Sequence, residues 1–182
     1  MSSVAEQTTL IPAGTWDIDP AHSSVEFQVK HLGIATVKGR APVVRGTIEG
    51  GERPSIEGTV DVTSFTTFDE TRDDHLRSPD FFDAERYPEL RFESTVVELR
   101  DQALIVTGNL TIKGDTKPVE LRGSFAGSGV DPWGNERIGL DLEGTIDRNE
   151  WGVSWNAPLP GGGFLLPDTV RLAASFSAVK TG

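Results

Sequence analysis

From residue 15 onward, apolar and polar residues alternate one for one, in segments closed by Gly, Pro, Asn or Asp. Successive side chains of a β-strand point to opposite faces, so a period of two describes strands with one buried face and one wet face. In "SSVEFQVKH", Val25, Phe27, Val29 and His31 share one side, and Glu26, Gln28 and Lys30 the other. In "PSIEGTVDVTSF", Ile56, Gly58, Val60 and Val62 fall together. The pattern recurs in "KGRAPVVRGTIEG", "RFESTVVEL", "QALIVTGNLTIKG", "KPVELRGSFAG", "ERIGLDLEGTIDR" and "VRLAASFSAV". About eight such segments, joined by short turn-rich connections, predict an all-β chain.

Eight antiparallel strands of this kind can close into an up-and-down barrel, which removes the exposed edges an open sheet must protect; a two-sheet sandwich is the competing arrangement. An eight-stranded barrel is just wide enough to be filled by side chains or to hold one small ligand. Several inward positions are small: Gly58, Gly108, Gly123, Gly144, Ala174 and Ala178. Each glycine read singly marks a bulge or bend. Read together, they leave room inside for an apolar ligand.

A length of 182 residues suits one domain, and the segmentation expected is a flexible N-terminal stretch over 1–14 followed by a single β-barrel domain over 15–180. The net charge of −11 argues against nucleic acid as a partner, because phosphate recognition relies on clustered Lys and Arg. The absence of cysteine removes disulfides, thiolate metal sites and a cysteine nucleophile. The opening "MSSVAEQTTLIPAGTW" lacks the basic and apolar regions of a secretory signal, and no apolar run reaches the roughly 20 residues needed to span a bilayer. A cytoplasmic location without stable membrane insertion is the expectation. Asn109-Leu110-Thr111 has the form of a glycosylation sequon but sits in a strand pattern.

One passage breaks the alternation. "TRDDHLRSPDFFDAERYPELRF", residues 71–92, gathers six carboxylates, four arginines, a histidine and four aromatics. Ser78 as N-cap, Pro79 at the first helical position, Asp80 in the first turn and Pro88 beyond the end predict a short helix over Pro79–Ala84. A second helical turn is expected near Arg72–Leu76, giving one or two short helices within residues 70–86. Phe81 and Phe82 cannot both remain in water on so short a helix, so they are expected to cover an apolar opening.

These segments carry a family resemblance. "TWDIDPAHSSVEFQVKHLGIATVKGR", "TRDDHLRSPDFFDAERYPELRF", "VTGNLTIKGDTKPVEL", "DPWGNERIGLDLEGTIDRNEWGVSWN" and "LLPDTVRLAASF", in that order, resemble the YceI family of lipid-binding proteins from about Trp16 to Phe176. The resemblance implies a lipocalin-like barrel whose long apolar cavity holds a polyisoprenoid or other long-chain amphiphile, flanked by short helices. It also implies that a homodimer is one form such a protein takes. Secreted members carry a signal peptide, which this sequence lacks.

Catalytic and metal readings fare less well. His22, His31 and His75 with Asp73, Asp74 or Asp80 lack the i, i+4 pairing of helix-borne metal ligands. Ser23 and His22 are neighbours facing opposite ways, and no Gly-x-Ser-x-Gly elbow exists. "PGGGF" at 160–164 lacks the Lys-Ser/Thr ending of a phosphate-binding loop. His31 reads equally as a strand-end residue bonded to a loop carbonyl or as an inward group meeting a ligand head. Trp133 reads as a turn aromatic, while Trp151 and Trp155 can wall a cavity, since an indole offers large apolar area and one donor. Most charges near residue 80 read as solvated pairs, with Arg72 and Arg77 the better candidates to touch an anionic head group.

The sequence thus predicts a non-catalytic carrier that sequesters a polyisoprenoid, prenyl quinone or fatty-acid-like lipid, without cofactor or metal. The candidate ligand contacts are Phe27, Val29, His31, Val60, Arg72, His75, Phe81, Phe82, Phe92, Leu110, Leu140, Trp151 and Trp155. Storage, transport and stress protection are the tasks open to such a carrier. The alternatives are an enzyme acting on an isoprenoid or lipid head group, with His31, His75 and nearby carboxylates as acid and base, and a structural partner of a redox or membrane complex.

Overall fold

A computed structural model describes residues 10–42 and 44–182. Within these residues lie ten strands, with long connections after β5 and β9: β1 (Thr15–Ile18), β2 (Ser24–His31), β3 (Ala35–Ala41), β4 (Val44–Glu49), β5 (Ser55–Asp61), β6 (Glu89–Arg100), β7 (Ala103–Ile112), β8 (Asp115–Val130), β9 (Glu136–Asp147) and β10 (Thr169–Lys180). They form one antiparallel sheet in the order β1-β4-β5-β6-β7-β8-β9-β10-β2-β3, and β1 also pairs with β10. β1 and β2 are two pieces of one path along β10, Ile18 pairing with Ala178 and Val25 with Ala174. β3 and β4 are likewise two pieces of the next path, Asp17 pairing with Thr47 and Val25 with Ala41. Counted as paths, the strands number eight and close on themselves, so the edges of an open sheet disappear.

The interruption between β1 and β2 is built from capping groups. The Asp19 carboxylate accepts from the Ala21 N–H at 2.9 Å and from Arg137 Nη1 at 2.9 Å, holding a single turn over Pro20–His22. Ser23 then restores the ladder: its hydroxyl donates to the Ser177 carbonyl and accepts from the Ser177 N–H. Two hydrogen bonds with His22 and Arg137 hold the Asp19 carboxyl down at about 2, against an ordinary 3.8.

The two ends of the barrel differ. Ile11, Trp16, Ile48, Leu104, Val106, Ile138, Leu140 and Ala178 fill one end as a close-packed plug. Register carries the inward residues of every strand from that plug toward the other end: on β9 from Ile138 to Ile146, and on β10 from Ala178 back to Val170. The second end is covered by chain that is not strand. Residues 10–14, expected to belong to a flexible segment, instead pack on the plug. Ile11 is fully buried, and the Trp16 indole N–H donates to the Pro12 carbonyl at 3.0 Å. The rest of that segment lies outside the described residues.

The inward glycines divide into two kinds. A Cβ on Gly123 would lie 1.7 Å from the Asp141 carbonyl oxygen, and one on Gly108 would meet Glu93 O and the Phe92 ring at 2.5 Å, so these glycines permit close backbone approach. A Cβ on Gly58 meets only Arg45 O at 3.6 Å, so that glycine leaves open space. Ladder irregularities at Ser94/Val96 and Phe125/Gly127 add the local twist that closure needs.

The helix lies elsewhere than capping chemistry predicts. α1 spans Glu70–Arg77, with Asp69 as N-cap accepting from the Arg72 N–H, and Ser78 ends it as C-cap. The turn expected near Arg72–Leu76 is therefore part of α1, whereas Pro79–Ala84 forms turns, not a helix. Asp83 adopts a positive φ of 50°, and the Phe82 and Ala84 N–H groups donate back to the Leu76 and Arg77 carbonyls. The segment folds back on α1 and cannot propagate a helix of its own.

Candidate functional site

Below the covered end lies a cavity of about 170 Å³ whose exposed wall is apolar throughout. Strand alternation supplies its sides: Val25, Phe27 and Val29 from β2, Gly58 and Val60 from β5, Leu90 and Phe92 from β6, Leu110 and Ile112 from β7, Leu142 and Ile146 from β9, and Val170, Leu172, Ala174 and Phe176 from β10. Phe65, Leu76, Phe81, Phe82, Trp151, Val153 and Leu166 close the top. A water held there would find no polar partners, so the space favours an apolar occupant.

The cover is fastened at several points. Asp73 on α1 is buried and accepts from the Thr67 N–H at 2.8 Å, the Thr67 hydroxyl at 2.6 Å and the Thr66 hydroxyl at 3.0 Å. Burial raises its pKa, but these hydrogen bonds outweigh burial and the net shift is downward, so the side chain is a carboxylate. Phe65 stacks on Phe82 with centroids 5.5 Å apart, and Phe27 meets Phe65 edge-on at 5.3 Å. Lys113, in the turn between β7 and β8, donates to the Pro79 carbonyl at 2.8 Å and the Gly152 carbonyl at 3.3 Å, bridging two covering segments. The Trp151 indole donates to the Leu110 carbonyl at 2.9 Å, which fixes its ring against the wall.

Of the candidate contacts, Phe27, Val29, Val60, Phe81, Phe82, Phe92, Leu110 and Trp151 stand at the wall. Leu140 does not, because it belongs to the plug. His31 is exposed at the end of β2, beyond the last inward residue. Arg72 turns outward and is used locally, its Nε donating to Thr67 Oγ1 at 2.7 Å and its Nη2 to Thr67 O at 2.8 Å. His75 pairs with Asp80 at 2.9 Å and packs edge-on against Phe81 and Trp155, with centroids 5.0 Å and 4.7 Å away. His75 and Trp155 therefore back the wall residue Phe81 without lining the cavity. Arg77 pairs with Asp74 at 3.0 Å. Among the described residues no group of three or more His, Asp or Glu side chains converges as a metal site.

Arg148 is the polar residue at the site that sequence reading missed, beside apolar wall residues such as Val25, Leu90 and Leu172 that were not among the candidates. Only 5% exposed, it is among the residues around the cavity. Its guanidinium bonds three main-chain carbonyls: Nε to Pro167 at 2.9 Å, and Nη1 to Val153 at 2.7 Å and to Trp155 at 2.8 Å. Because the exposed wall is apolar, the stem meets the cavity while the head staples the 152–168 loop across the barrel end. Burial pushes its pKa down, opposed by the charges of Asp168 and Asp147. A charged residue in "DRNEWG" reads as solvated; the only signal was Trp151 one turn further on.

Sequence and fold comparisons agree with this geometry. Residues 16–178 match the family model described as the YceI-like domain. A UPF0312 protein of Photorhabdus laumondii is 40% identical over 139 residues, spanning 74% of this chain and 72% of its own length. The crystal structure of BcnA from Burkholderia cenocepacia superimposes with a TM-score of 0.74 at 24% identity, over 88% of this chain and 98% of that one. A polyisoprenoid binding domain from Saccharophagus degradans superimposes with a TM-score of 0.70 at 13% identity, over 93% and 100% of the two chains. At such identities the two structures establish a shared fold.

Proposed function

The chain belongs to the family of YceI-like domains, and from that premise we propose that its barrel shields the tail of one long-chain amphiphile from water. The observation that carries the proposal is the cavity with an apolar wall, built by the inward residues of closed strands and roofed by aromatic side chains. The polyisoprenoid binding domain of like fold lends support to an isoprenoid, prenyl quinone or fatty-acid-like tail as occupant.

Each buried methylene contributes about 0.8 kcal/mol, so ten carbons in the cavity supply roughly 8 kcal/mol before ordering costs. Micromolar binding needs about −8.2 kcal/mol net, so after ordering costs a tail longer than ten carbons is required. A binding role also accords with the placement of the titratable groups. The His75–Asp80 pair lies behind the wall and His31 lies beyond it, so neither presents an acid or base to the enclosed space.

Native mass spectrometry of freshly purified protein, followed by organic extraction, tests the proposal. A retained long-chain lipid is the expected result. Protein that is always empty, and that takes up no long-chain fatty acid or prenyl alcohol on titration, would overturn it.

A further inference from the structure

One side of the covered end, away from the acidic residues of α1, is unlike the rest of the molecule. The chain carries 28 acidic residues in 182, yet none falls in residues 27–48, and residues 151–167 carry no charge at all. The fold brings these two acid-free stretches together. The hairpin tip between β2 and β3 is bonded to the 152–168 loop through the Leu32 N–H and the Leu165 carbonyl, 3.1 Å apart. The tips also carry exposed apolar side chains: Ile34 is 81% exposed, Phe164 66% and Leu32 46%.

We infer that these two tips dock the covered end of the barrel onto an anionic lipid surface. Phe164 sits in a small hairpin of its own, bridged to Pro158 and closed by the Leu159 N–H on Gly163 O, so its ring is held out from the body. Lys30 and Lys38 flank Leu32 and Ile34 on β2 and β3, supplying positive charge beside the apolar groups. The carboxylates near the loop stand away from its tip: Asn149 Nδ2 bonds both Asp147 and Asp168, Asp115 lies beside Gly152, and Asp80 pairs with His75, which packs on Trp155. Apolar tips with basic flanks and no acid between them complement an anionic bilayer, from which a protein of net charge −11 is otherwise repelled.

The tips are continuous with the cavity. Val29 and Leu166, both at the wall, lie three residues before Leu32 and two after Phe164. Docking here places the roofing loop at the bilayer, so an amphiphile would pass between membrane and cavity without crossing water. This direction of transfer rests on the binding role proposed above; the docking surface itself does not.

Co-sedimentation with vesicles of phosphatidylcholine alone, and of equimolar phosphatidylcholine and phosphatidylglycerol, tests the inference. The wild-type protein is expected to bind the anionic vesicles and to be released by salt. The double variant Ile34→Glu, Phe164→Glu should lose at least about tenfold in the bound fraction. Trp133→Glu, a change at an equally exposed aromatic on the opposite end, should bind like wild type. Uptake of a long-chain fatty acid from solution should be unchanged in all three, which separates docking from cavity binding. Equal vesicle binding by the double variant, or none by wild type, overturns the inference. So does a dimer in solution that the double variant dissolves without any vesicle effect, since a second copy is then the occupant of this face.

Discussion

Gly58 offers a way to fill the cavity while leaving the fold intact. It lies on the inward side of β5 between Ile56 and Val60, opposite Gly46 and Phe92 in the ladder, and a Cβ there meets only Arg45 O at 3.6 Å. Gly58→Ile adds four carbons to the enclosed space and displaces about as many carbons of a bound tail. At about 0.8 kcal/mol per methylene this removes roughly 3 kcal/mol of binding, a loss on the order of a hundredfold in Kd. The apo protein moves the other way. Glycine inside a strand is destabilising by about 0.5–1 kcal/mol, and a β-branched residue with space around it recovers at least that, raising Tm by about 2–4 °C in a chain of this size. Fatty-acid titration by tryptophan fluorescence and thermal unfolding by circular dichroism read the two effects separately. Unchanged affinity would show that the tail does not run past Gly58. A fall in both affinity and Tm would show that the open space at this glycine is not real, and the reasoning would fail.

Three further outcomes follow from the geometry. Arg148→Met keeps the stem at the cavity but leaves the carbonyls of Val153, Trp155 and Pro167 without their donor; a loss of about 2–3 kcal/mol in urea unfolding and faster proteolysis within the 152–168 loop are expected. Gly123→Ala places a methyl 1.7 Å from Asp141 O and must part β8 from β9, so a destabilisation of about 2 kcal/mol or more is expected by the same assay, in contrast to Gly58→Ile. Asp19 contributes stability that is complete above its ordinary pKa of 3.8 and is lost as pH falls through about 2, because the depressed carboxyl belongs to the folded state. Asp19→Asn should therefore be less stable than wild type at neutral pH and should flatten the acid limb of the stability profile below about pH 4; an unchanged limb would refute the assignment.

What the sequence conveyed depended on how local each signal was. Strand alternation is a one-residue rule enforced by burial of one face, so the number of paths around the barrel and the wall residues Phe27, Val60 and Phe92 were legible without coordinates. The helix was displaced because Ser78-Pro79-Asp80 satisfies the same start rule as Asp69-Glu70; the deciding influence is the return of the 81–84 backbone onto α1, a tertiary effect. Gly58 and Gly123 are indistinguishable in sequence, since both sit inward in alternating segments, and only the distance to the neighbouring strand separates open space from close approach. Leu140 shares a face with Leu142, but depth along the barrel axis, which periodicity does not encode, puts one in the plug and the other at the cavity. Arg148 was invisible because its partners are carbonyls of an irregular loop, which carry no side-chain signature.

The seam between β1 and β10 bears on how such a container is made. Trp16 pairs with Lys180, and the Thr15 N–H donates to the Gly182 carbonyl at 2.9 Å, so the first strand is held by the last. During synthesis β1 must wait for β10 to emerge, and until then the inward faces of the other strands line an open trough. The ring therefore closes only once β10 has been made, and any occupant of the cavity is enclosed by the completed ring.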